Sequence, residues 1–214
     1  FYGMQKSYGN LEGALAIMAN GALILQFPVA HSFLLSQRGQ KILSLLGPKD
    51  LAISLSTTSF TIVASIQLFA LFMLWSPSKI VFELPFEFLI YILPILYCLS
   101  WFLLIVATID AGLEVQSGAL GWISVLARKK PKFPELPTTG LYKIIRHPIY
   151  ASFFLAVLTV PTWTADQIVV SLILGGYCIF APILKDRRLT ERHGEKYLRY
   201  KNTTPYMLPS KIIK

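Results

Sequence analysis

Charge is scarce in this sequence. Only 14% of its 214 residues are Asp, Glu, Lys or Arg, where soluble domains carry roughly 25%. Together with 54% hydrophobic residues and a mean hydropathy of +0.57, that scarcity argues against an ordinary water-soluble domain and for a chain built for lipid, of a length that suits one domain. Acids are the scarcer sign, 11 against 20 basic residues, for a net charge of +9. Such a balance suits nucleic acid or an anionic membrane surface. Position decides: the basic residues flank apolar runs, which favours the membrane, and no basic helix with interleaved aromatics stands alone as a nucleic-acid module. Histidine is limited to His31, His147 and His193, too scattered to argue a metal site from spacing. The two cysteines, Cys98 and Cys178, lie inside apolar runs and read as buried helix thiols that say little about redox compartment.

What the sequence has in quantity is long apolar runs. A spanning helix needs about 20 mostly apolar residues. Five segments fit or nearly fit: Leu11 to Leu35, with Pro28 and His31 near its far end; Leu51 to Trp75, polar at its start; Phe86 to Ile109, with Pro94 inside; Pro148 to Thr164; and Gln167 to Leu184. The first is too long for a signal peptide and reads as a mature helix. The sequence opens on Phe1 rather than Met, as expected of a trimmed start. The short link around Pro161–Asp166 makes the last two segments an antiparallel pair, and the fourth is barely long enough to cross. Residues 113–126, with Leu113, Leu120, Trp122 and Leu126, fit an amphipathic interfacial helix, followed by a basic, proline-rich turn.

The basic residues sort by side. Arg38, Lys41 and Lys49 follow the first segment. Arg128, Lys129, Lys130, Lys132, Lys143 and Arg146 follow the third. Lys185, Arg187, Arg188, Arg192, Lys196, Arg199, Lys201, Lys211 and Lys214 follow the fifth. Eighteen of the twenty thus fall on three alternate links, which places the C-terminus in the cytoplasm, the N-terminus outside, and an odd number of spans between them. The expected fold is an all-α integral membrane protein of about five transmembrane helices with a cytoplasmic C-terminal amphipathic helix. It forms a single domain: a three-helix part (1–110), a cytoplasmic loop with an interfacial helix (111–147), and a hairpin and tail (148–214).

The chemically informative stretch begins at Gly140–Leu141–Tyr142–Lys143–Ile144–Ile145–Arg146–His147–Pro148–Ile149–Tyr150. Pro148 suits a first helical turn, where its missing N–H is no loss. Arg146 and His147 then sit at the positive N-terminal end of a helix, which attracts anions. Taken alone, the cluster reads equally as a snorkelling end to a basic loop. After the fifth segment comes Lys185–Asp186–Arg187–Arg188–Leu189–Thr190–Glu191–Arg192–His193–Gly194–Glu195–Lys196–Tyr197–Leu198–Arg199–Tyr200, then Pro205 and Pro209. This reads as an acid at the membrane edge followed by an amphipathic helix with Gly194 near its middle.

These two linked motifs, spread over about seventy residues, resemble the isoprenylcysteine and phospholipid methyltransferase superfamily. Its members show glycine, an apolar residue and tyrosine before arginine–histidine–proline, and later a pair of acids followed by spaced leucine, glycine and tyrosine. "AHSFLLSQRGQK", "TSFTIVASIQLFALFMLW" and "VPTWTADQ" resemble the NnrU-type branch, near which bacterial methanethiol S-methyltransferases fall. The resemblance implies S-adenosyl-L-methionine as cofactor, no metal, and a site between the arginine–histidine–proline helix start and the tail. Arg146 and His147 would hold the cofactor carboxylate, with Tyr142, Asp186, Tyr197 and Tyr200 completing the pocket; His147, Asp186 and Arg146 would be the catalytic group. The acceptor would be a small membrane-permeant thiol, such as methanethiol going to dimethyl sulfide, or a lipid, entering from the bilayer. The active site would face the cytoplasm at a bacterial inner membrane.

Two departures bear on this. The family's paired acids fall on Lys185 and Asp186, so one acid remains, and an arginine of the isoprenylcysteine branch falls on Ala181. A lipid-amine or isoprenylcysteine methyltransferase, or a non-catalytic membrane protein of the same fold, stays open beside the thiol reading. His147, at a helix start on the water side, is expected to carry little packing. His31, at the membrane edge, is either an acceptor-side residue or an interfacial histidine bonded to a neighbouring helix. Asp110 and Glu114, four apart, share a helix face and read as solvated edge charges, with cation binding or helix capping as alternatives.

Overall fold

The structure, a computed structural model, describes residues 2–48 and 50–209. Phe1, Lys49, Lys211 and Lys214 lie outside the described residues. The helices are α1 (Gly13–Leu34), α2 (Gln37–Leu43), α3 (Ala52–Leu74), α4 (Leu89–Asp110), α5 (Leu113–Gln116), α6 (Ala119–Leu126), α7 (Leu141–Ile144), α8 (Pro148–Leu158), α9 (Ala165–His193) and α10 (Glu195–Thr203). This is an all-α membrane protein. Among the described residues four helices, α1, α3, α4 and α9, are long and apolar enough to cross a bilayer. In lipid the backbone must satisfy its own hydrogen bonds, so apolar runs of this length become helices. For the same reason Pro28 and Pro94 lie inside α1 and α4 without ending them. Leu15, Ile17, Ile53, Phe102 and Leu172 point outward and are exposed, which suits faces that meet acyl chains. Cys98 is on such a face of α4, exposed rather than buried as expected, whereas Cys178 is buried.

The fourth expected span takes a different form. α8 has 11 residues, about 16 Å at 1.5 Å per residue, well short of a bilayer core of about 30 Å. Pro161 disfavours helical backbone in the residue before it, and the chain reaches α9 through a link whose last residue, Thr164, is extended. The fifth expected span, by contrast, is longer than its apolar run. α9 continues without a break from the membrane stretch through Lys185 and Asp186 to His193. The tail helix expected to contain Gly194 instead breaks there, at φ +53 and ψ −130, a conformation essentially reserved for glycine.

By contact the chain forms two interleaved units. The first comprises residues 2–5, 78–110 and 135–209. In it α8 packs on α4 and α9, α7 meets α4, and α10 returns to α9. One end of this unit is pinned at the α8–α9 turn. Thr164 caps α9 by accepting from the Gln167 amide at 2.9 Å. Buried Asp166 accepts from the Ser78 amide at 2.9 Å and its hydroxyl at 2.7 Å, and the Phe82 amide donates to the Trp163 carbonyl at 2.9 Å. At the far end of α4, Asp110 accepts the Leu141 amide at 2.8 Å. Asp110 is therefore a clamp on the segment that leads into α8, not a solvated edge charge. It shares no face with Glu114, because the helix is interrupted at Gly112 (φ +91). The clamp needs Gly140: its φ is +56, and a Cβ there would overlap the Asp110 carboxylate.

The second unit comprises residues 6–77 and 111–134. α1 packs along α3, and polar side chains hold the pair together. Asn20 donates to the Ser76 carbonyl at 2.8 Å and accepts the Ser76 amide at 2.9 Å, while Gln26 donates to the Gln67 carbonyl at 3.0 Å. The polar start of α3 is spent on close packing. Thr58 donates to the Gly118 carbonyl at 2.5 Å, and Gly121 sits against the Ser54 carbonyl and Thr58. The single helix expected over 113–126 is broken into α5 and α6 at Gly118, which has φ +75. His31 belongs to this unit, with Phe27 and Phe60 at ring distances of 5.0 and 4.8 Å.

Candidate functional site: a buried carboxylate hub in the first unit

Everything in the candidate site converges on Asp186. The continuous α9 carries it one residue past Lys185 at the end of the apolar stretch, and the Thr190 hydroxyl donates back to its carbonyl at 2.8 Å. Its Oδ1 meets His147 Nε2 at 2.7 Å and accepts the Tyr197 hydroxyl in a very short hydrogen bond. Its Oδ2 faces an Arg146 guanidinium nitrogen at 3.3 Å and Lys201 Nζ at 3.9 Å. The carboxylate is thus satisfied from four sides by groups at the entry to α8 and on α10. Such a carboxylate is a weak base. Its chemistry here is to orient and to balance charge.

His147 is the N-cap residue of α8, with Pro148 in the first turn as expected. It does not sit in water: it is 1% exposed, with its ring edge-on to Tyr206 at 5.0 Å and to Tyr150 at 6.1 Å. Burial pulls the imidazole pKa below its ordinary value, against the opposing pull of the hydrogen bond to Asp186. Neutral imidazole beside a carboxylate donates through Nε2, which leaves Nδ1 as an acceptor.

Arg146 acts as a strap. Its guanidinium donates to the Lys201 carbonyl at 2.6 Å and the Thr204 carbonyl at 3.3 Å, and its amide donates to the Pro205 carbonyl at 2.8 Å. The guanidinium also lies over the Tyr206 ring at 5.6 Å. Tyr200 donates to the Tyr142 carbonyl at 2.6 Å, and burial pushes its phenol pKa up to about 12. Burial likewise raises Tyr142 and Tyr197, the latter helped by its bond to Asp186. All three are phenols, not phenolates, at neutral pH.

Of the expected site residues, Arg146, His147, Asp186, Tyr142, Tyr197 and Tyr200 come together; His31 lies in the other unit. Sequence reasoning missed Lys201, Tyr206 and the carbonyls of Lys201, Thr204 and Pro205. Tyr206 lies between the two prolines that bound the tail, the nearest thing to a signal. A cavity of about 470 Å³ opens beside the hub, lined by Arg146, Ile183, Asp186, Arg187, Thr190, Glu191 and Lys201. Among the site residues, three buried polar atoms have no hydrogen-bond partner among the described residues: the Tyr142 hydroxyl, Arg146 Nε and His147 Nδ1. Two donors and one acceptor, with cations and carboxylates at the rim, suit a zwitterion carrying both a carboxylate and an ammonium.

No protein-family model matches the chain, and no solved structure does. Curated relatives do. A methanethiol S-methyltransferase of Pseudomonas deceptionensis is 28% identical over 212 residues, 97% of this chain and 79% of that protein. Methanethiol S-methyltransferase 1 of Bradyrhizobium diazoefficiens is 26% identical over 92% of the chain and 68% of its own length. The methanethiol S-methyltransferase of Crocosphaera subtropica is 25% identical over 91% of the chain and 75% of its own. At family level, then, the chain is similar to the methanethiol S-methyltransferases along nearly its whole length.

Proposed function

We propose that the chain is a membrane methyltransferase that uses S-adenosyl-L-methionine to methylate the sulfur of a small, membrane-permeant thiol such as methanethiol. The observation that carries this reading is the buried hub at Asp186, which gathers His147, Arg146 and Tyr197 from two separate sequence motifs in a chain whose relatives carry a methyltransferase name. The cofactor supplies a methyl group already activated on a sulfonium, so the protein mainly positions, excludes water and sets charge. Arg146 Nε and the Tyr142 hydroxyl would donate to the cofactor carboxylate, and His147 Nδ1 would accept from its ammonium. Asp186 fixes the His147 tautomer and offsets the positive charge of Arg146 and Lys201. The isoprenylcysteine reading is disfavoured by Ala181, which stands where that branch has an arginine.

Isothermal calorimetry on detergent-solubilised protein should detect S-adenosyl-L-methionine binding, and gas chromatography should detect dimethyl sulfide from methanethiol. A protein that binds no such cofactor would not be this enzyme; one that binds it and methylates only amines or carboxylates has another acceptor.

The site would face the cytoplasm of a bacterial inner membrane, because eighteen of the twenty basic residues fall on three alternate links that include the C-terminal tail. The Asp110–Leu141 clamp and the hub lie at the end of the first unit opposite the α8–α9 turn. Single cysteines placed at Asp166 and at Arg199 should label from opposite sides. Labelling of both from the cytoplasm would overturn this topology.

A further inference from the structure

The hub accounts for Arg146, His147, Asp186, Tyr197 and Lys201, but not for the cation one residue before it. Lys185 stands where the family pattern has the first of two acids. Successive helical residues diverge by about 100°, so Lys185 leaves α9 in a different direction from Asp186. Its ammonium lies 5.7 Å from the centre of the Tyr150 ring. The edge-to-face contact between Tyr150 and His147 makes that ring a spacer between Lys185 and the histidine. Among the described residues, no carboxylate lies within ion-pair distance of Lys185. The charged and titratable groups acting on it are Asp186 and Arg188 on its own helix and His147 and Tyr150 on α8.

Position gives this cation a direction. α8 runs away from the hub, so Tyr150 lies about one turn deeper toward the α8–α9 turn than His147. α9 runs toward the hub, so Lys185 precedes Asp186 on the apolar side, next to Leu184. The hub thus has a cation on the apolar side of Asp186 with no carboxylate in ion-pair distance among the described residues and an aromatic face as close partner. A ring face attracts the ammonium without neutralising its charge or accepting all three of its N–H donors, which leaves the ammonium able to take an anion.

We infer that Lys185 is the acceptor-side cation of the site, pairing with the thiolate of a small thiol that enters from the bilayer. This rests on the thiol reading above and deepens it by giving the acceptor a place and a charged partner. A thiol carries its proton at neutral pH, and a nearby cation favours the thiolate. The thiol proton leaves to water in the polar cavity, and the Lys185 ammonium keeps its own. The sulfur lone pair forms the new carbon–sulfur bond as the methyl–sulfonium bond breaks, its electron pair staying on the donor sulfur. The products are two neutral thioethers. An acid at this position would repel the thiolate, so the acid-to-lysine exchange distinguishes an anionic acceptor from a cationic or amine one.

The test is methyl transfer from S-adenosyl-L-methionine to methanethiol across pH 6–9, with cofactor affinity measured in parallel by calorimetry. Lys185→Met should lower kcat/KM for the thiol at least about tenfold at pH 7 and move the rise of the pH profile to higher pH, with cofactor affinity within about twofold of the parent. Lys185→Arg, which keeps the charge, should recover most of the rate; Lys185→Glu should fall below Lys185→Met. Parent-like turnover and an unchanged pH profile in Lys185→Met overturn the inference, as does a loss of cofactor affinity equal to the loss of rate, which would mark a structural role. A parent protein that binds the cofactor and methylates no thiol overturns the functional reading itself, and this inference with it.

Discussion

Asp186→Asn is expected to lower methyl transfer and cofactor affinity by about a hundredfold, equivalent to about 2.7 kcal/mol. The substitution is nearly isosteric, so the loss would come from charge and hydrogen-bond polarity. An amide offers one acceptor where the carboxylate serves His147, Tyr197, Arg146 and Lys201. Two cations would then face each other without a counter-charge in a part-buried site, and breaking a buried charge pair by removing one partner costs about 3–5 kcal/mol when burial is complete. The histidine would respond as well. Next to an amide donor, Nε2 becomes the acceptor and the proton moves to Nδ1, which inverts what the ring offers to a ligand. Thermal unfolding should fall together with affinity. Lys201→Met, which removes the most distant of the four partners at 3.9 Å, should cost far less on both measures. Turnover at the parental rate by Asp186→Asn would show that the hub is a structural knot with no part in the reaction.

The parts of this site that were legible in the sequence are those whose side chains carry the signal. Arg146, His147 and Pro148 are adjacent, and a proline after a polar pair announces a helix start by itself. Asp186 was legible because it ends an apolar run and opens a patterned tail. The strap was not. Arg146 reaches the carbonyls of Lys201 and Thr204, and a backbone acceptor has no residue type to betray it. Lys201 was visible only as one of nine tail cations. Burial was misjudged for a related reason: His147 looks solvent-facing when α8 is read alone, and it becomes 1% exposed only when Tyr206 returns across it.

The fold divides in the same way. The long spans α1, α3 and α4 follow their apolar runs to within a few residues, because in lipid composition and length decide the structure. Glycines broke what the hydrophobic pattern joined. Gly112, Gly118 and Gly194 all take positive φ, and a lone glycine within a helical pattern signals either tolerance or termination, which periodicity cannot separate. The pairing of α4 with the C-terminal hairpin, and of α5 and α6 with α3, lies in long-range contacts such as Asp110 with Leu141 and Thr58 with Gly118. No local pattern encodes those.

His147 permits the sharpest separation of folding from function. His147→Ala removes a buried ring at the N-cap position of α8 that fills the space against Tyr206 and Tyr150 and holds Asp186. It should destabilise the protein by about 2–4 kcal/mol, through a cavity and a lost charge-assisted bond, and should abolish cofactor binding. By itself that result would be ambiguous. His147→Gln resolves it, because the glutamine amide can place an N–H near the position of Nε2 and keep the bond to Asp186, while nothing replaces the acceptor at Nδ1. The glutamine variant should therefore keep most of the thermal stability and still lose cofactor affinity at least about tenfold. Acidification supplies a second axis. The buried imidazole titrates below its ordinary value, so as pH falls through about 6.5 the unfolded chain takes up a proton that the folded site refuses. Stability from this residue is fully present above that pH and declines below it, by at most about 1.4 kcal/mol per pH unit, until the depressed folded value is reached. Both variants should lose this component of the acid dependence. If His147→Gln binds S-adenosyl-L-methionine as the parent does, Nδ1 makes no contact with the cofactor and the histidine serves only to hold α8 to α9.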